Sequence, residues 1–119
     1  MKSEAKIQQE IVVWFRNNYQ RKGVDKGVIF SVPNEAWAKM GLKNKIIFRI
    51  YKDLLLTGLL SGVSDLIVVM KNRVIFVEVK NEIGKQSPKQ KTFEEQVKKL
   101  GFEYFLVRNK ENFIDILNK

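Results

Sequence analysis

The sequence contains no cysteine and no histidine, and each absence removes whole classes of chemistry. Without cysteine the chain cannot form a disulfide, a zinc–thiolate site or a thiol nucleophile. Without histidine it lacks the commonest general base, the serine-type triad and every imidazole-bound metal site. Any catalysis must therefore use carboxylates, lysine, tyrosine or a hard metal ion.

Long apolar segments are also missing from the sequence. No run of roughly 18 or more apolar residues is available to cross a bilayer. Residues 1–10 also lack the apolar stretch of a signal peptide. From these features we expect a soluble, intracellular protein of the cytoplasm with no membrane partner.

Positive charge, by contrast, is present in excess. The chain has 119 residues, of which 45% are hydrophobic and 29% charged, and this composition suits one globular domain over residues 1–119. Lysine and arginine number 22 against 13 aspartate and glutamate, so the net charge is +9. Such a charge favours a polyanionic partner such as nucleic acid, although anionic membranes and ribosome-associated complexes also attract basic proteins.

Hydrophobic periodicity predicts a mixed α/β domain with one sheet of about four strands flanked by helices. The predicted helices cover residues 3–19, 43–57, the segment from Ser87 to Gly101, and a short stretch near the C-terminal end. The predicted strands cover residues 28–32, 66–70, 74–79 and 104–107. After Pro33, Asn34 and Glu35 are interpreted either as turn residues or as residues at the rim of a site. The two central strands are nearly continuous apolar runs, which predicts a hairpin buried on both faces.

Two carboxylates and a lysine stand at the ends of this predicted hairpin. If the chain turns symmetrically about Lys71 and Asn72, Asp65 lies opposite Glu78 on the same face of the sheet. Lys80 is two residues beyond Glu78, and strand alternation places it on that face as well. A bulge or an odd loop length would break this register.

Two carboxylates this close repel each other unless a cation or a proton lies between them. Oxygen ligands of this kind suit Mg²⁺ or Mn²⁺. The alternative is an ion pair between Lys80 and one of the acids at the edge of the sheet. The spacing of the residues leaves both interpretations open.

Several segments resemble one nuclease family. Residues 62–65 (Gly-Val-Ser-Asp), 78–80 (Glu-Val-Lys) and 87–90 (Ser-Pro-Lys-Gln) are similar to motifs of the VRR-NUC members of the PD-(D/E)xK nuclease superfamily. Residues 33–35 (Pro-Asn-Glu) and Glu10 also fit, so the resemblance extends from about residue 7 to about residue 107. One departure is a serine directly before Asp65, where family members often carry proline; it leaves the aspartate itself intact.

The resemblance implies a restriction-endonuclease-like fold and a role for each matching residue. Asp65 and Glu78 would bind the metal directly, together with the main-chain carbonyl of Val79. Glu10 would contact the metal as well, although a solvated helix glutamate explains it equally. Lys80 would orient the attacking water or stabilise the charge on the phosphate.

Other candidate residues have competing structural explanations. Gln90 would belong to the catalytic set, yet it also completes a capping box at a helix start. Asn34 would contact substrate from the rim of the site, or be an ordinary turn residue. Lys85, Lys89 and Lys91 would bind the DNA backbone, or serve only for solubility.

The implied function is a Mg²⁺- or Mn²⁺-dependent DNA endonuclease. Compact members of the family resemble Holliday-junction resolvases, which implies a homodimer acting on branched DNA, in a phage or other mobile-element setting. The apolar stripe of residues 46–55 would form the dimer surface, unless it packs on the sheet. Two rival functions remain: a nucleic-acid-binding module that does not cut, and a restriction-type enzyme that reads a short sequence.

Overall fold

The computed structural model describes the backbone of residues 1–119 and the side chains of all residues except 34–36. The elements in chain order are α1 (Glu4–Phe15), a π-helical turn (Arg16–Gln20), β1 (Gly27–Ser31), α2 (Asn34–Gly41), α3 (Lys45–Leu56), β2 (Leu66–Met70), β3 (Arg73–Val79), α4 (Pro88–Lys99), β4 (Glu103–Val107) and α5 (Lys110–Leu117). None of the helices described could serve as a membrane span.

The four strands form one mixed sheet in the order β1-β2-β3-β4. β1, β2 and β3 are antiparallel neighbours, whereas β4 lies parallel to β3. Parallel neighbours need a long connection, and here α4 supplies it. The predicted α/β architecture is therefore confirmed.

The β2–β3 hairpin has the register predicted from the sequence. Met70 lies opposite Arg73 and Leu66 opposite Val77, across a two-residue turn. Asn72 adopts a positive φ of 56°, a conformation that asparagine tolerates better than most residues. One further step along this register places Asp65 opposite Glu78.

The main core lies between one face of the sheet and two helices, α1 and α5. α1 contributes Ile7, Ile11 and Phe15, which are spaced four residues apart and so fall on one side of the helix. α5 adds Phe113 and Ile116, both buried in the same cluster.

The opposite face of the sheet is only half covered. α4 packs Phe93 and Val97 against Tyr104 and Phe76, and the rings of Phe76 and Phe93 meet edge to face at 5.5 Å. α4 thus covers β3 and β4.

On the β1–β2 half of this face, Val28, Phe30 and Val69 are exposed. The prediction that both hairpin strands are buried on both faces is therefore wrong for β2. The physical reason is that no helix of the described chain covers this half of the sheet.

Two further corrections concern the segment between β1 and β2. Residues from Asn34 to Gly41 form a helix, α2, which the sequence did not predict; Asn34 and Glu35 had been considered as possible turn residues. α3 packs against α2 and against no other described helix or strand, and none of its residues is buried. The alternative in which the stripe of residues 46–55 packs on the sheet is therefore wrong.

Candidate active site

Asp65 stands at the junction between a loop and β2, and three strands hold it there. Its Oδ2 atom accepts a hydrogen bond of 2.8 Å from the main-chain N–H of Val79 in β3. Its own main-chain carbonyl accepts one of 3.3 Å from the N–H of Val32, directly after β1. The preceding residue, Ser64, is fully buried, and its hydroxyl donates to the carbonyl of Leu66. The position of the Asp65 carboxylate is therefore set by the sheet itself.

Glu78 lies near the end of β3, on the face that α4 covers. It alternates with Val77 and Val79, which point into the main core on the other face. Only 1% of Glu78 is exposed to solvent. Its Oε2 atom accepts a hydrogen bond of 2.9 Å from Nε2 of Gln90 and lies 3.6 Å from Nζ of Lys80.

Lys80 is the second buried charge of the site. Its N–H donates to the carbonyl of Val107 over 3.0 Å, which extends the β3–β4 ladder by one residue. Only 8% of Lys80 is exposed, and a buried ammonium is unfavourable without a charged partner. The carboxylate of Glu78 is that partner. The ion pair that the sequence left open is therefore present, and the catalytic role of Asp65, Glu78 and Lys80 stays a prediction.

Gln90 completes the capping box that the sequence predicts, and it also contacts Glu78; its place in the catalytic set stays a prediction. Its Oε1 accepts from the N–H of Ser87 and its own N–H donates to the Ser87 hydroxyl, which completes the capping box of α4. Nε2 of the same amide donates a hydrogen bond to Oε2 of Glu78. The first turn of a helix also carries partial positive charge, which favours a nearby carboxylate.

A close approach at Gly62 joins the loop before Asp65 to the start of α4. Gly62 has a φ of +90°, and a Cβ built there would lie 2.5 Å from the main-chain oxygen of Lys89. Only glycine meets both conditions without strain. The loop that leads to Asp65 and the helix turn that carries Gln90 therefore have a fixed relative position.

Glu4, which the sequence suggested only as a helix-start residue, lies close to Gly84, as Lys80 does. A Cβ built on Gly84 would be 2.8 Å from Oε2 of Glu4 and 3.2 Å from Cδ of Lys80. The absence of that Cβ leaves room for both side chains next to the loop. Spacing was the available signal, because Glu4 is three residues before Ile7 and so falls on the buried stripe of α1.

Glu10 is placed differently. Its carboxylate accepts hydrogen bonds of 2.9 and 3.0 Å from Lys2, and this contact holds the pKa of Glu10 below its ordinary value. It lines a groove together with Arg108 and Asn112. Among the described side chains no three acidic residues form a cluster that suits a metal ion. The structure thus does not bring Glu10 together with Asp65 and Glu78, and its role stays a prediction.

The predicted DNA-contacting residues lie on or near α4. Lys85, Lys89 and Lys91 are exposed and available to a ligand. The side chain of Asn34 lies outside the described residues, so its predicted contact stays a prediction.

Tyr104 borders the site from β4. Burial, and secondarily the negative charge of Glu78, raises the pKa of its hydroxyl well above the ordinary value. The hydroxyl accepts a hydrogen bond of 3.1 Å from Nε2 of Gln86. Tyr104 therefore stays neutral near pH 7.

A family model described as the VRR-NUC domain matches residues 2–111. The chain belongs to the VRR-NUC domain family. A solved structure named "VRR_NUC domain protein" is 19% identical and superposes with a TM-score of 0.69, covering 99% of this chain and 87% of that one. No curated protein matches the chain. Membership of the VRR-NUC family identifies a nuclease-type domain, and the similar structure confirms the fold.

Proposed function

We propose that this VRR-NUC domain is a metal-dependent endonuclease that hydrolyses phosphodiester bonds in DNA. The observation that carries the proposal is the buried contact between Glu78 and Lys80. Asp65 lies next to this contact, since its carboxylate accepts a hydrogen bond from the residue between the two. Burying charged groups at a strand end disfavours folding, so their presence here supports a functional role.

The donor set fits a hard divalent cation. Asp65 and Glu78 contribute two carboxylates, against which Lys80 provides one ammonium, so the group keeps a net negative charge. Carboxylate and main-chain carbonyl oxygens are the ligands that Mg²⁺ and Mn²⁺ prefer, and Asp65, Glu78 and the Val79 carbonyl would hold the ion. When bound, such an ion lowers the pKa of coordinated water and neutralises charge on the phosphate.

The chain's own side chains would perform the remaining tasks. Nζ of Lys80 lies 3.6 Å from Oε2 of Glu78, which is the distance of an ion pair and longer than a short hydrogen bond. Its ammonium is suited to orient a water molecule or to stabilise charge on the phosphate. Gln90 keeps Glu78 in one orientation through the bond of 2.9 Å. Glu4 brings a further carboxylate to the Lys80 side chain, and we propose it, ahead of Glu10, as the acidic residue of α1 that serves the site.

Charge supports DNA as the substrate. The net charge of +9 attracts a phosphate backbone. Lys85, Lys89 and Lys91 are exposed on the loop before α4 and on its first turn, next to Gln90. We propose that they contact phosphates on either side of the bond that is cut.

The exposed apolar surfaces support a homodimer, and with it branched DNA as the preferred substrate. α3 is 12 residues long and rests only on α2 among the described elements, although a helix this short needs tertiary packing to be stable. The half-sheet formed by Val28, Phe30 and Val69 is a second exposed apolar surface. Two copies of the chain can cover both surfaces in a closed two-fold arrangement. Such a dimer would present two active sites to one junction.

The test compares a labelled four-way junction with a linear duplex of the same sequence, each in Mg²⁺, Mn²⁺ or EDTA. Three proteins are used: wild type, Lys80→Ala and the control Lys71→Ala. The control removes the same charge at the turn of the β2–β3 hairpin, the end away from the site. We expect metal-dependent cutting by wild type and Lys71→Ala, and none by Lys80→Ala.

Each outcome has a distinct meaning. Cutting of the junction alone supports structure selectivity, whereas equal cutting of both substrates retains the endonuclease and removes the junction preference. Tight binding without cutting in either metal would replace the enzyme with a binding module. Activity that survives in Lys80→Ala would overturn the proposed site.

A further inference from the structure

The loop that follows Lys80 has no regular secondary structure, yet it borders the site directly. Residues 81–87 connect β3 to α4 without a helix or a strand. Within the loop, Oδ1 of Asn81 accepts hydrogen bonds of 3.2 Å from the N–H of Ile83 and 2.8 Å from that of Gly84. Gly84 then passes close to Lys80 and Glu4. The loop therefore lies against the Lys80 side chain at Gly84.

Arg108 holds the loop from outside. It is the first residue after β4, and its Nη1 atom donates to the carbonyl of Asn81 over 2.6 Å and to that of Gly84 over 3.0 Å. A third carbonyl, that of Glu82, lies 3.5 Å away. Hydrogen bonds from a guanidinium are charge-assisted and stronger than those between neutral groups. One side chain thus fastens both ends of the turn that contains Gly84.

The backbone around Arg108 is itself anchored. The residue before it, Val107, accepts the hydrogen bond from the N–H of Lys80. The N–H of Arg108 donates to Oδ1 of Asn112, in the first turn of α5. Arg108 therefore connects the end of β4, which pairs with Lys80, to the loop that follows Lys80.

We propose that Arg108 is a positioning residue for Lys80, acting through the loop of residues 81–84. This inference rests on the proposed nuclease function. The guanidinium does not have to touch the substrate: it keeps Gly84 in place, and Gly84 in turn confines the Lys80 side chain. Loss of the clamp would let the loop move outward and would leave the ammonium poorly oriented.

Arg73 offers a matched control, because its guanidinium also donates to main-chain carbonyls. Its guanidinium donates to the carbonyls of Ile116 and Leu117 over 2.9 and 3.2 Å and pairs with Glu103. It thus also fastens main-chain carbonyls, but at the opposite end of β3, about 20 Å from the site by the rise of a strand. A purely structural role for Arg108 predicts that both arginine variants behave alike.

The experiment uses Arg108→Ala, Arg108→Lys and Arg73→Ala, at a temperature at which each is folded by circular dichroism. Steady-state cleavage gives kcat and KM, and reductive methylation mapped by mass spectrometry gives the labelling rate of Lys80. We expect kcat of Arg108→Ala to fall about 10- to 100-fold, with KM nearly unchanged. Arg108→Lys should lose less, because an ammonium can still donate to one carbonyl. Lys80 should be labelled faster in Arg108→Ala than in wild type, and at the wild-type rate in Arg73→Ala.

The two measurements separate the inference from the proposed function. If wild type cuts no DNA, the nuclease proposal fails, and the labelling of Lys80 still decides the role of Arg108. Unchanged labelling in Arg108→Ala overturns the inference, as does an equal loss of kcat in Arg73→Ala. If Arg108→Ala does not fold, Arg108→Lys decides: wild-type kcat and wild-type labelling would overturn the clamp, and a lower kcat with faster labelling would support it.

Discussion

Nε2 of Gln90 donates a hydrogen bond of 2.9 Å to Oε2 of Glu78, while Oε1 of the same amide accepts from the N–H of Ser87. One side chain therefore closes the start of α4 and orients a carboxylate of the site. Its capping role and its proposed functional role can be separated by comparing a change at Ser87 with a change at Gln90 itself.

Ser87→Ala should affect stability alone. It removes the hydroxyl that accepts from the Gln90 N–H, and loss of such a cap lowers the free energy of unfolding by about 1 kcal/mol. Gln90→Met has a similar length but loses both amide contacts, so it should lower stability by about 2–3 kcal/mol and reduce kcat about tenfold or more. Urea unfolding and cleavage assays measure the two effects. Equal kcat losses in both variants would contradict a separate role for the Gln90–Glu78 bond.

The two acidic residues of α1 should differ in their importance. Glu4→Gln removes a carboxylate beside Lys80, and we expect cleavage to fall about tenfold or more. Glu10→Gln weakens the contact with Lys2, and because Glu10 forms no cluster with Asp65 and Glu78, we expect cleavage to stay unchanged. The variants have the same charge change on the same helix, so each controls for the other. The reverse result would restore Glu10 to the site.

Gly62 should be the least replaceable glycine. Gly101 has almost the same φ, +91° against +90°, but a Cβ there meets nothing within 4 Å. Gly101→Ala should therefore cost only the backbone strain, about 1–2 kcal/mol. Gly62→Ala adds a collision with the Lys89 carbonyl, worth about 1–3 kcal/mol more, and it displaces the start of α4. Urea unfolding measures the stability of both variants. Equal losses of stability would show that the close approach of Gly62 to Lys89 is unimportant.

The pair formed by Glu103 and Arg73 should make stability depend on acid pH. Hydrogen bonds from Arg73 hold the pKa of Glu103 below its ordinary value of 4.5. Because the folded-state pKa is the lower one, the contribution is present above pH 4.5 and is lost as the pH falls through the lowered pKa. Glu103 is partly exposed, so we expect about 1 kcal/mol or less. The unfolding free energies of wild type and Glu103→Gln should converge at low pH. Parallel curves of unfolding free energy against pH would show that the Arg73–Glu103 pair does not cause the dependence.

The proposed dimer predicts that charge on α3 separates the two copies. Ile46 and Leu56 are 72% and 86% exposed, so a glutamate at either position should not disturb the fold of one chain. Ile46→Glu and Leu56→Glu should shift the solution mass to that of a single 13.9 kDa chain. Leu100→Glu is the control, since Leu100 is 75% exposed but lies after α4. Light scattering after gel filtration gives the mass, and a wild-type monomer would remove the dimer altogether.

The hairpin and its charged residues could be predicted because they obey local rules. A two-residue turn fixes the register, and strand alternation then places Asp65, Glu78 and Lys80 on one face. The capping box at Ser87 and Gln90 is also a local pattern, and the structure contains it.

Other features depend on contacts between distant parts of the chain. α2 was missed because Pro33 and Asn34 are typical turn residues and the helix has only eight residues. The exposure of the apolar face of α3 could not be predicted, because the pattern of an amphipathic helix does not show which part of the chain packs against that face. The clamp by Arg108 joins residues 24 to 27 positions apart, and composition gives no sign of it.

The parallel pairing of β3 with β4 has a consequence for how the chain acquires its site. The hairpin that carries Asp65, Glu78 and Lys80 closes over a two-residue turn, which is a fast and local event. β4 pairs with β3 across the connection that contains α4, which is a longer loop closure and a slower step. We therefore expect the acidic and basic groups to meet early in folding, and Gln90 and Arg108 to arrive late. A newly synthesised chain would thus hold its reactive residues together before it could orient them, and nuclease competence would coincide with the last strand to dock.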